Sequence, residues 1–144
     1  MPEFKLENGL VCYNWMPLVA DHCIDYPQEF YVNWGVKRLH DKELFQPTDI
    51  ENMKENDIIF VKTDFIVHEE FQNKFLDKIK TPFNLVTGCS AYQIGRDGDN
   101  PESYKKILEN EYLQNWFCTN PPNEEHEKIH ALPIGFAEPN RLSA

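Results

Sequence analysis

The stretch Asp57-Ile58-Ile59-Phe60-Val61-Lys62-Thr63-Asp64 decides the fold, together with the residues from Phe65 to Gly88. Ile58 to Val61 form an apolar, mostly β-branched run that starts after a carboxylate and closes on polar residues, the pattern of a buried strand. From Val67 to Ile79 the apolar residues Val67, Phe71, Phe75, Leu76 and Ile79 recur at spacings of three and four, with charged and amide residues between them. That periodicity predicts an amphipathic helix. Thr81 and Pro82 stop it, and Phe83-Asn84-Leu85-Val86-Thr87-Gly88 is a second apolar run ending in small and polar residues. A β-α-β unit of this kind holds two parallel strands joined by a right-handed crossover.

Outward from this unit, Leu10 to Trp15 is a β-prone run ended by Pro17, and Glu29 to Trp34, aromatic and β-branched, reads as a further strand stopping at Gly35. Ala20 to Gln28 shows no periodicity. Thr48 or Asp49 caps a short helix expected over Ile50 to Glu55. Beyond Gly88, Cys89 to Asn100 is rich in turn-forming residues and too long for a plain connector, which marks a functional loop. Asn100 and Pro101 start a helix expected to run to about Gln114, and Trp116 to Asn120 and Ile129 to Phe136 are two more strand-like runs. The apolar strands thus end at Thr63-Asp64, Thr87-Gly88, Thr119-Asn120 and Pro133 to Gly135. The expected fold is α/β: one domain over residues 1–144, an open, mostly parallel Rossmann-like sheet with helices on both faces. The carboxyl ends of its strands line one crevice, where ligands bind.

A chain of 144 residues with a 41% hydrophobic and 13% aromatic content has enough apolar side chain for a packed core. The net charge of -10, with scattered Lys and Arg, excludes nucleic acid as a general partner. Cys12, Cys23, Cys89 and Cys118 are far apart and lack metal spacing, so they read as reduced thiols. The start of the chain has no signal-peptide pattern and no apolar run reaches membrane-spanning length, so a cytoplasmic protein without a membrane segment is expected.

Four stretches taken together carry a resemblance: Asp57 to Asp64, Pro82 to Ser90, Trp116 to Asn120 and Leu132-Pro133-Ile134-Gly135-Phe136. In order and spacing they resemble the exostosin-like family of glycosyltransferases. That family carries a strand ending in a Lys-Thr-Asp-like triplet, a Leu-Val-Thr strand with a Ser-rich loop, a Trp-Phe-x-x-Asn strand and a Pro-Ile-Gly strand. The resemblance covers the chain from Asp57 onward. It implies the N-terminal lobe of a two-lobe (GT-B-like) transferase, or a shortened relative, moving a sugar from a nucleotide-sugar donor to a hydroxyl of a carbohydrate acceptor. The donor would sit mainly on a C-terminal lobe that family members carry beyond Pro-Ile-Gly.

Within the crevice, Asp64 is placed to deprotonate an acceptor hydroxyl, or else, with Thr63, to cap the next helix. Thr63, Thr87, Gly88, Ser90 and Tyr92 offer hydroxyls and close backbone approach to a sugar or phosphate. The alternative is an ordinary loop with a positive φ at Gly88. Asn120 lines the acceptor side, and Arg96 either offers a bidentate fork to a donor phosphate or is a solvated loop cation. Asp97 and Asp99 have the form of a D-x-D metal motif, but the same residues read more simply as a turn before Asn100, so a divalent cofactor is not favoured. Cys89 as a hydrolase nucleophile has no neighbouring His in sequence, and the five histidines show no ligand spacing. Trp15, Trp34 and Trp116 are candidates for sugar stacking or for core. The competing function is a non-catalytic Rossmann-like module that binds a glycan or a protein through the same crevice.

Overall fold

A computed structural model describes residues 15–35, 38 and 40–132 of the chain. Its centre is a five-stranded, entirely parallel sheet of β1 (His22–Ile24), β2 (Asp57–Lys62), β3 (Phe83–Gly88), β4 (Leu113–Cys118) and β5 (Ile129–Ala131), in the spatial order 1-2-3-4-5. The helices are α1 (Trp15–Val19), α2 (Gln28–Asn33), α3 (Asp64–Val67), α4 (Glu70–Lys74) and α5 (Tyr104–Leu108). The fold is therefore the open α/β sheet that the β-α-β pattern predicts. Among the described residues no helix is long and apolar enough to cross a membrane.

Because the strand order never reverses, right-handed crossovers carry their helices to the same face. Phe71, Leu76, Tyr104 and Ile107 from these crossovers pack with Ile59, Val61, Phe83, Leu85 and Trp116 in one core cluster. The opposite face, with Cys23, Phe60 and Val86, is covered by Met16 and Ala20 at and just after α1. Strand alternation makes this division: in β2, Ile59 and Val61 face one cluster and Phe60 the other. In β4 a register shift opposite Phe83 and Asn84 leaves Gln114 without a partner in the ladder. That extra residue turns both Leu113 and Trp116 toward the crossover helices.

Several elements differ from the sequence reading. Glu29 to Trp34 is not a strand but lies in and just past α2. Pro27 is pre-set to precede a helix, and Tyr26, Phe30 and Trp34 stand at helical spacing, with the Tyr26 and Phe30 rings stacked at 4.0 Å. β1 falls in the stretch that showed no periodicity, because three residues are too few to display one. The expected helix over 67–79 is α4 followed by a 3₁₀ turn at Leu76–Lys78, separated from α3 by Glu69 at φ 64°. Its five apolar residues are nonetheless all buried. The break has visible causes: Gly98 passes against the Val67 carbonyl, and the Gln72 side chain donates to Ile66 O at 2.9 Å.

The helix expected from Pro101 ends with α5 at Leu108, because Asn110 turns the chain by accepting the Tyr112 N–H on its own side chain at 2.9 Å. The strand expected over Trp116 to Asn120, β4, consequently starts at Leu113 and ends at Cys118. The helix expected over Ile50 to Glu55 is a 3₁₀ turn, Pro47–Asn52, closed by the Gln46 N–H donating to Asp49 Oδ2 at 2.6 Å. The strand expected at Leu10 to Trp15 lies outside the described residues except for Trp15, which opens α1, and so does Pro133 to Gly135.

Candidate functional site

Lys62 and Gly88 are register partners, so β2 and β3 release the chain at the same level of the sheet. Thr63 and Asp64 leave from β2, Cys89 and Ser90 from β3, and α2 stands over the same edge after β1. Between these segments lies an open cleft of about 320 Å³ lined by Phe30, Tyr31 and Trp34 of the α2 segment, Lys62, Asp64, and Cys89 to Tyr92. It lies at the carboxyl ends of β2 and β3, the edge on which the strand pattern placed the crevice.

Its walls are aromatic and its base is charged. Trp34 is 73% exposed and Tyr92 37%, two large rings held in solvent beside a polar floor. Asp64 has one carboxylate oxygen, Oδ1, that is shielded from solvent and has no hydrogen-bond donor. Its charge also bears on the Tyr26 phenol, which burial first and Asp64 second push up to about 12. Lys62 is only 7% exposed; its ammonium donates to Cys89 O and lies 5.6 Å from the centre of the Tyr31 ring.

Beneath the cleft is a buried polar network. Asp25, immediately after β1, accepts from the Tyr31 hydroxyl at 2.6 Å, the Tyr26 N–H at 2.6 Å and His40 Nε2 at 2.9 Å. Burial by itself would raise the Asp25 pKa. The hydrogen bonds from His40 and Tyr31, the Lys62 charge and the Tyr26 N–H outweigh it and hold the carboxyl below its ordinary value. Burial and the adjacent Asp25 charge raise the Tyr31 phenol in turn. The Nε2–H tautomer of His40 satisfies the pair and leaves only an acceptor, Nδ1, without a partner. Cys23, Asp25 and His40 bring ligand-type atoms within 4.8 Å of one another, a grouping that sequence spacing did not reveal. Asp25 is already engaged by three donors, however, and burial first and Asp25 second push the Cys23 thiol up to about 12. These groups behave as a protonated thiol beside a satisfied ion-dipole network.

Of the residues expected in the crevice, Asp64, Ser90 and Tyr92 line the cleft. Thr63 is fully buried and its hydroxyl points to Gly88 O at 3.4 Å. Thr87 is equally buried and accepts the Trp116 indole N–H at 2.9 Å, which makes both residues core. Gly88 has no positive φ; that conformation falls on Cys89, at φ 59°. What Gly88 provides is room, since a Cβ there would meet Met16 Sδ at 2.7 Å. Asn120 holds the loop through its side-chain amide, which donates to Ser90 O and Tyr92 O, both at 3.3 Å.

Arg96 lies on a different depression, with Gln93, Glu102 and Glu124, and forks onto Asp97 at 3.1 and 2.9 Å. Asp97 also accepts the Gln93 N–H at 2.7 Å, the geometry of the turn reading, while Asp99 is exposed. The Trp15 side chain lies outside the described residues. Sequence reasoning missed Phe30, Tyr31 and Asp25. The aromatic spacing at 26, 30 and 34 was the available signal for α2, whereas nothing local marks Asp25.

Comparison with family models, with curated proteins and with solved structures yields no match. What the molecule does is read from the cleft itself.

Proposed function

We propose that this unit is the acceptor-side lobe of a glycosyltransferase working in the reducing cytosol, and that the cleft at the ends of β2 and β3 receives a carbohydrate. The observation that carries the reading is the lining of the cleft: the Asp64 carboxylate set among Phe30, Tyr31, Trp34 and Tyr92. Aromatic faces are rigid and electron-rich and accept the C–H face of a sugar ring, while a carboxylate beside them accepts its hydroxyl proton. In the reaction, the acceptor O–H bond breaks as its oxygen bonds the anomeric carbon of a nucleotide-sugar. The bond from that carbon to phosphate breaks, the nucleoside diphosphate leaves with the electron pair, and the proton rests on Asp64. The resemblance to exostosin-like transferases in the strand-end motifs supports the same assignment, with donor recognition mainly on a second lobe.

Calorimetric titration of the 144-residue chain tests this, using neutral oligosaccharides and a panel of nucleotide-sugars with and without Mn²⁺. Expected are saturable sugar binding that Trp34→Ala abolishes and Asp64→Asn retains, weak donor binding, and no turnover by this chain alone. Tight donor binding with hydrolysis, lost in Asp97→Ala and Asp99→Ala but kept in Asp64→Ala, overturns the proposal and makes the 97–99 pair the centre.

A further inference from the structure

Lys62 brings a positive charge to the cleft. A buried charge is ordinarily paired, because removing an ammonium from water carries a large desolvation cost unless something compensates it. Among the described residues no carboxylate oxygen lies within 4.0 Å of the Lys62 ammonium. An ammonium offers three donors. One goes to Cys89 O, and the Tyr31 ring lies to one side. Asp25 is close enough for the Lys62 charge to act on it, yet its two oxygens are taken by Tyr26, Tyr31 and His40. The side chain is almost wholly buried yet lines the cleft, so what remains of its donor capacity is available to a ligand there.

We infer that Lys62 is the anion-recognising group of the cleft, and that the natural ligand presents a carboxylate or phosphate to it. Asp64 shares the cleft with the same sign of charge as that oxyanion and favours an uncharged, proton-bearing group at its own end. The ligand class is thus a polyhydroxylated molecule carrying one anionic substituent: an acidic sugar, or the phosphate ester of a neutral one. Lys62 fits the task as a point-charge donor on a buried stem, its ammonium over the Tyr31 ring, with little side-chain freedom left to lose on binding. The inference takes from the proposed function the location and the sugar nature of the ligand; the anionic substituent rests on Lys62.

The test is a set of ¹H–¹⁵N titrations of the full chain at constant ionic strength, read at the amides of Ser90 to Tyr92 and the indole N–H of Trp34. The probes are galacturonate, its neutral match galactose, and inorganic phosphate. Galacturonate binding at least about tenfold tighter than galactose identifies a carboxylate ligand. Saturable shifts from phosphate without that preference identify a phosphate ester; either result supports the inference. Lys62→Met keeps the stem and removes the charge, and it should abolish the anion preference, bringing galacturonate to no tighter binding than galactose. Absence of both the galacturonate preference and the phosphate shifts in the natural chain overturns the inference without recourse to a variant. So does an anion preference that survives in folded Lys62→Met, which would leave Lys62 as a clasp on the turn at Cys89. If no sugar binds while phosphate still does, the transferase reading fails and the anion site stands.

Discussion

Replacing Asp25 by Ala removes the hub of the network beneath the cleft. The carboxylate is 7% exposed and receives three donors, from Tyr31, His40 and the Tyr26 backbone. Hydrogen bonds to a charged group contribute roughly 1.5–3 kcal/mol each, but they are not additive. Breaking a buried pair by deleting one partner costs about 3–5 kcal/mol, because the other partner stays behind unsatisfied. Against a total stability of roughly 5–15 kcal/mol this is a large fraction. At about 3 °C per kcal/mol for a chain of this size, the midpoint of thermal unfolding should fall by roughly 9–15 °C.

Urea unfolding at pH 7 followed by circular dichroism measures the change. The pH dependence supplies an independent check through Asp25→Asn. The folded-state pKa of Asp25 lies below its unfolded value, so its contribution is fully present above the unfolded pKa, near 4, and is lost as pH falls through the folded pKa. The natural chain should therefore lose stability more steeply than Asp25→Asn below about pH 4. A loss under about 1 kcal/mol for Asp25→Ala, or identical acid slopes for the natural chain and Asp25→Asn, would refute an ionised, triply bonded Asp25.

Two further outcomes rest on single positions. Gly98→Ala should destabilise by at least about 1–3 kcal/mol in urea, since φ is +93° and a Cβ would stand 2.2 Å from the Val67 carbonyl oxygen, a backbone atom with no freedom to retreat. A variant as stable as the natural chain would show that the 97–99 turn does not pack on α3. Burial pushes the Cys23 thiol, with Asp25 as a lesser cause, and the Cys118 thiol up to about 12. At pH 8 both should resist a thiol-exchange reagent in the folded chain and react at once in urea, as peptide mapping of the labelled protein would show; rapid native-state labelling of either would contradict their placement in the core.

The fold was legible where burial imposes a period. Ile58 to Val61 read as an unbroken apolar run and Phe83, Leu85 and Val86 as one interrupted only by Asn84, because both strands face packed layers on both sides, and this fixed β2, β3 and the crossover between them. Helix lengths were less legible, because contacts distant in sequence decide them: Gly98 lies 31 positions beyond Val67, against whose carbonyl it packs. Asp64, Ser90 and Tyr92 could be placed because a strand end projects its next residues into the crevice. Thr63 and Thr87 could not be separated from them, since a hydroxyl facing the core and one facing a ligand look alike until a partner such as the Trp116 indole is known. The surroundings of the charged floor were hidden for a related reason. Lys62 continues the strand's alternation, and only the three-dimensional neighbourhood shows that no carboxylate of the described residues meets its ammonium.

The strand order 1-2-3-4-5 gives the sheet the character of a ladder whose rungs are laid in sequence, so that each strand borders only the strands before and after it in the chain. The inner pairings are the most extensive: β2 and β3 share six register pairs and β3 and β4 five, while β1 with β2 and β4 with β5 share three each. In such a quasi-linear array, cohesion passes from neighbour to neighbour and the ends loosen before the centre. Lys62, Asp64 and Cys89 to Tyr92 are all carried by the β2–β3 pair or the segments leaving it. By that argument the β2–β3 side of the cleft belongs to the last part of the sheet to open and the aromatic wall on α2 to an earlier one, so the two sides of the cleft are expected to differ in rigidity.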